Sequence, residues 1–127
     1  MIEFYKDKAT RSIRPQLFSN DSEQLAKALA KEKSNKRSQI RKFYDEVVRL
    51  NLLAKANPSE WDNVLPYVHM LVAKAAYAEG RSLVTPDFVE FMKGSVNQIE
   101  LGRDLDVFAN FFEAFMGFYR KYRPRDN

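Results

Sequence analysis

Apolar positions fall at helical spacing through most of the chain. Between Asn35 and Ala56, Ile40, Phe43, Val47, Leu50 and Ala54 recur at alternating steps of three and four, which sets them in one stripe along a helix. Arg37, Arg41, Tyr44 and Val48 form a second row beside that stripe, roughly a quarter turn from its centre. Asn57-Pro58 ends this helix, because a residue before proline avoids helical geometry. The same residues open the next one, with Asn57 as cap, Pro58 in the first position and Glu60 closing a capping box. Trp61, Leu65, Val68, Val72, Ala75 and Ala76 give that helix its apolar face, Pro66 predicts a kink or break near Val64–Leu65, and Gly80 predicts the stop. Thr85-Pro86-Asp87 opens a helix from Pro86 to about Ile99, with Phe88, Met92 and Ile99 on its buried side. Gly102 interrupts the chain, and Asp104 starts the last helix, which runs to about Tyr122. Leu105, Phe108, Phe112, Phe115, Tyr119 and Tyr122 give it a heptad-like seam.

Upstream, Asn20 and Glu23 predict a capping box for a short helix over about Asp21–Lys33, with Leu25, Ala28 and Leu29 facing inward. Residues 1–19 show no clean period. They read as an N-terminal extension anchored by Phe4, Ile13, Leu17 and Phe18, leaving residues 20–127 as a single helical domain. Nothing reads as a strand. The expected fold is all-α, a compact bundle of about five helices.

Composition narrows the function classes. A chain of 127 residues with 45% hydrophobic and 13% aromatic content is one folded domain. It has no cysteine, which excludes a disulfide, a thiol nucleophile and a thiolate metal site. There is no run of about 18 apolar residues, and MIEFYKDKATR is too charged for a signal peptide, so a soluble, cytoplasmic protein is expected. The net charge of +4 is unevenly spread. Residues 31–55 carry eight Lys/Arg against three acids, residues 56–118 four against nine, and the tail from Tyr119 is basic again. Two electrostatically different surfaces are expected, one suited to phosphate.

Candidate chemistry follows the basic rows. Arg37, Arg41 and Lys42 lie on the helix that follows Asn35, with Ser38 and Gln39 as neutral hydrogen-bonding neighbours. An arginine four residues from another costs a helix a few tenths of a kcal/mol, which an anionic partner would offset. Opposite the apolar face of the next helix lie Tyr67, Met70, Lys74, Tyr77 and Arg81, a composition unusual for a plain solvent face. The aromatic series of the last helix reads as core, and the basic tail Tyr119–Arg125 as a dipole-favoured helix end. For catalysis and metals the sequence offers little. His69 is the only histidine and borders an apolar face, so it reads as structural. Asp104 and Asp106 are two apart at a helix start, on different sides, and do not form an acid–base pair. There is no Gly-rich phosphate loop and no nucleophile motif. No catalytic residue, metal site, cofactor, small-molecule substrate or membrane contact is expected.

Three segments carry a resemblance to a known family. SQIRKFYDEV (Ser38–Val47), LPYVHMLVAKAAYAEGR (Leu65–Arg81) and FANFFEAFMGFYRKY (Phe108–Tyr122) resemble, in order and spacing, the small subunit of the type III-A CRISPR–Cas effector, the Csm complex. The likeness covers roughly residues 35–122. It implies a non-catalytic subunit that contacts the guide RNA and target RNA and lines up beside the backbone and large subunits. Target cleavage would belong to the backbone subunits. Such a protein serves any guide sequence, so it should use Lys/Arg contacts to the backbone of an A-form duplex and not base-edge readout. Arg37, Arg41, Lys42, Lys74 and Arg81 are the candidate RNA-binding residues. This reading stands on Arg41 and Lys74 facing a shared groove: were the two to point away from one, each tied to a carboxylate of its own, the nucleic-acid reading would fall. Self-association, as a homodimer when isolated, is also expected. The competing reading is a helical protein–protein adaptor with no nucleic-acid role. A small helical hydrolase would need a clustered acid site that the sequence does not display.

Overall fold

The computed structural model describes residues 2–126. After a short hairpin, β1 (Tyr5–Asp7) and β2 (Ser12–Ile13), come five helices: α1 (Ser22–Ala30), α2 (Arg37–Ala56), α3 (Trp61–Gly80), α4 (Pro86–Val96) and α5 (Gly102–Tyr122). The fold is therefore an all-α bundle of five helices. α5 packs across α1 and α2, while α3 packs against α4 and α2.

The stripe of α2 is buried as its spacing predicts: Ile40, Phe43, Val47, Leu50 and Ala54 all lie in the core, joined by Asn51. The seam of α5 is buried from Leu105 to Tyr119, with Phe111 added to it. Phe91 of α4 sits at the centre of the aromatic cluster, its ring within 6 Å of those of Phe88, Phe108, Phe111, Phe112 and Phe115. Ring pairs at this separation add roughly 0.5–1.5 kcal/mol each beyond their burial. The last helix thus uses its aromatic rings for packing and leaves none of the buried ones as a base-stacking platform.

Several local expectations are corrected. Two short antiparallel strands are present where none was expected, turning through Arg11 at a φ of 54°. Phe4 and Leu17 are fully buried, whereas Ile13 and Phe18 remain over a third exposed. The capping boxes at Asn20/Glu23 and Asn57/Glu60 do not form. α1 is preceded by a π-helical segment, Leu17–Asp21, and α3 by a 3-10 turn, Pro58–Glu60, and neither cap position makes a side-chain cap bond. Along α1 the inward residue is Ala26, not Ala28. α3 continues through Pro66 without a break and buries Val64, Val68, Leu71, Ala75 and Ala78, leaving Ala76 outside. His69 is exposed and does not border the core. α3 ends at Gly80, but the left-handed turn residue is Ser82, at a φ of 61°.

Candidate nucleic-acid interface

Four of the five candidate cations stand on α2 and α3, Arg81 directly follows α3, and packing divides them into two groups. α2 is flanked by α3 on one side and by α5 on the other. Lys42, Lys74 and Arg81 line a groove of about 370 Å³ between α2 and α3, together with Gln39, Glu46 and Tyr77. Arg37 and Arg41 line a separate cavity of about 270 Å³ with Ser38, Met116 and Arg120 of α5, and Asp126.

In the α2–α3 groove the one carboxylate has a stronger partner elsewhere. Arg49 grips Glu46 with two hydrogen bonds of 2.8 Å, whereas Lys74 Nζ approaches it only to 3.5 Å. The Arg49 hydrogen bonds, followed by the nearby Lys74 charge, hold the Glu46 carboxyl below the usual range against the opposing effect of burial. With Glu46 already neutralised by a forked guanidinium, Lys74 keeps much of its charge for another anion. Arg81 lies over the Tyr77 ring, 5.9 Å from its centroid, which orients the guanidinium at the groove edge. Tyr77 and Tyr67 are 66% and 58% exposed, so neither tyrosine is packed by a neighbouring helix. Their stripe on α3, Tyr67-Met70-Lys74-Tyr77-Arg81, faces solvent along its length.

On the other flank, Arg41 pairs with Asp45 one turn on at 3.5 Å and lies 5.8 Å from the Tyr44 ring centroid. Both ends of that ion pair are about two-thirds exposed, a setting in which such pairs contribute roughly 0–1 kcal/mol. Arg37 is half-buried and donates from Nη1 to the backbone carbonyls of Arg123 at 3.1 Å and Pro124 at 2.8 Å. Asp126 accepts the Ser38 backbone N–H at 3.1 Å.

A single basic groove holding Arg41 and Lys74 together is therefore not what the fold builds. The two residues line separate cavities and each has a carboxylate within 3.5 Å, so the condition on which the nucleic-acid reading stood is not met by this pair. What the fold does bring together is Lys42, Lys74 and Arg81, from two helices. Two participants were missed in the sequence. The Glu46–Arg49 pair was legible as an i,i+3 pair of opposite charge. Asp126 was not, because only the folded tail carries it back to the start of α2. Among the described residues no cluster of three or more His, Cys, Asp or Glu is placed to hold a metal, and no helix is long and apolar enough to cross a membrane.

No curated protein and no solved structure matches the chain. A family model does, that of Csm2 Type III-A, over residues 13–125. The match takes in all five helices and extends the sequence likeness at both ends, into β2 and the basic tail. The chain belongs to the Csm2 Type III-A family, the small subunit of the type III-A CRISPR–Cas Csm complex.

Proposed function

We propose that this subunit grips the ribose-phosphate backbone of the guide–target RNA duplex, whatever its sequence, and scaffolds the assembly without catalysing a reaction. The observation that carries the reading is the convergence of Lys42, Lys74 and Arg81 from α2 and α3 on one open groove, beside the Gln39 amide and the exposed Tyr77 ring. Lys and Arg supply charge that any phosphate row can meet, while amide and phenol groups suit ribose hydroxyls. A groove with these donors fits a subunit that must accept every guide. Target cleavage falls to the backbone subunits, as the family resemblance implies, and the site of action is the cytoplasm.

The test is target binding by the reconstituted complex at several salt concentrations. Replacing Lys42, Lys74 and Arg81 together by alanine should weaken binding alike for unrelated target sequences. It should also flatten the dependence of log K on log salt by roughly 0.9 for each duplex phosphate no longer neutralised. Unchanged affinity and slope would remove the groove from the interface.

The adaptor reading draws on a different observation, the exposed Tyr67 and Met70 beside the cations of α3. Apolar surface of this kind suits a protein neighbour. Recovery of the chain from cells separates the two readings: the RNA reading expects nuclease-sensitive RNA and other Csm subunits to come with it, the adaptor reading protein alone. The same α3 face is our candidate for self-contact in an isolated homodimer.

A further inference from the structure

A cavity of about 490 Å³ opens at the other end of the bundle, between the end of α2 and the starts of α3 and α5. It is separate from the proposed RNA groove: Lys55, on its rim, stands roughly 20 Å along α2 from Lys42 at helical rise. Ala54, Pro58, Trp61 and Leu101 make its walls apolar. Trp61 is half-buried and fixed by its indole N–H, which donates to the Glu100 carbonyl at 2.9 Å. Leu101 holds the N-cap position of α5, where a side chain with its own oxygen is strongly preferred, and it remains 44% exposed. A leucine there serves neither the cap nor the core, which points to a use outside the chain.

Charge at the rim is unbalanced by one cation. Lys55 pairs with Asp106 at 2.8 Å, and Asp106 also accepts from the Asn51 amide at 3.0 Å. Arg103, on the same rim, is exposed and makes no hydrogen bond or ion pair among the described residues. The complement of this surface is an apolar side chain followed closely by a carboxylate, which Arg103 can take in a forked bond. A row of phosphates fits it poorly, since it would meet one unpaired cation and the Asp106 carboxylate. The chain's own exposed apolar side chains do not offer the combination either. Tyr67, Met70 and Tyr77 share a stripe with Lys74 and Arg81, and Leu52 and Leu53 lie between Arg49 and Lys55. Ile13 precedes Arg14, and the acid nearest Phe18 in sequence, Asp21, is held by that same arginine at 3.0 Å.

We propose that this cavity docks a segment of a different Csm subunit, with a leucine or aromatic side chain seated beside Trp61 and Leu101 and a carboxylate bound by Arg103. The inference rests on the scaffolding part of the function proposed above and is independent of the RNA groove.

The experiment uses the reconstituted Csm complex with Leu101 replaced by the photo-crosslinker p-benzoylphenylalanine. After irradiation, mass spectrometry should find this position joined to a peptide of another Csm subunit, with an acid within a few residues of the attachment point. Attachment only to RNA, only to a second copy of this chain, or to nothing overturns the proposal. Two variants test the contact without the probe. Leu101→Ser supplies a better cap but removes an apolar wall, so the free chain should melt no lower than the parent yet join the complex about tenfold more weakly. Arg103→Glu should weaken entry by a similar factor, whereas Lys93→Glu, the same charge change at an exposed position of α4, should leave it unaltered. Changing the crosslinked acid to lysine should then restore the binding of Arg103→Glu. Full-strength entry by both Leu101→Ser and Arg103→Glu overturns the site while leaving the scaffolding reading intact. Failure of the unmodified chain to enter the complex would instead remove the scaffolding reading itself.

Discussion

Asp104 is fully buried at the start of α5 and stays charged because donors from three parts of the chain meet its two oxygens. Arg11 Nε bonds it at 3.0 Å, the Tyr5 hydroxyl donates to it, and the N–H groups of Leu101 and Glu100 donate at 2.9 and 3.0 Å. Burial alone would raise this carboxyl, but the Arg11 and Tyr5 bonds and the two amides outweigh it and bring the value down to about 2. Because the folded-state value is depressed, the stability gained is complete above the unfolded value of about 3.9 and is lost as pH falls toward about 2. Asp104→Asn should cost about 2–3 kcal/mol at neutral pH and remove most of the acid limb between those values, read by denaturant unfolding at several pH values. Glu32 works with the opposite sign: burial and the neighbouring Asp87 charge raise its carboxyl, so its ionisation weakens the neutral-pH fold and acid relieves it. In the sequence, Asp104 was legible only as an acid favoured at a helix start. Its partners Tyr5 and Arg11 lie over ninety residues away, beyond the reach of local spacing. Asn35, just ahead of α2, is likewise fixed by a partner far along the chain. It adopts a φ of 64°, and its amide bonds reciprocally with Thr85, through Oδ1 to the backbone N–H at 2.9 Å and Nδ2 to Oγ1 at 2.8 Å.

Among the elements, legibility followed how sharply each helix distinguishes its faces. α2 and α5 alternate apolar and polar rows cleanly, so their buried stripes could be read directly. α3 is apolar almost all round. Its stripe was placed slightly out of phase, and which side is buried was decided by α4 and α2 packing onto it. The hairpin was missed because strands of three and two residues carry no useful alternation. Pro66 was expected to interrupt α3, yet the helix absorbs it in its second turn. The missing N–H leaves the Asp62 carbonyl without its usual helical donor, and both residues are exposed, so water can take its place. Pro66→Ala restores one backbone bond at a solvent-facing position. It should stabilise the protein by about 1 kcal/mol, visible as a higher denaturant midpoint with an unchanged slope. A lower midpoint would mean that the proline ring contributes packing that its exposure does not reveal.

For the whole molecule, the chain's uneven charge points to basic residues near α2 but says nothing of how packing divides them. Whether two cations meet depends on which helix fills the space between them. Arg41 opens toward α5 and Lys74 onto the α2–α3 groove, although both sit in family-like segments. One apolar face that remains uncovered is the outer side of α3, where Tyr67 and Met70 are each about half exposed. If this face mediates self-contact, light scattering should show a mass that rises with concentration toward a dimer. Tyr67→Glu with Met70→Glu should then return it to monomer without loss of helicity. A constant monomer mass in the unmodified chain would sink the homodimer.

Arg123 has a practical consequence. Its guanidinium binds the junction between α1 and α2 at four carbonyls, while Arg37 holds the two residues that follow the end of α5. Arg123→Met, which keeps the length of the side chain but removes the guanidinium, would lose the bracket that ties the first two helices together and should melt earlier than the parent.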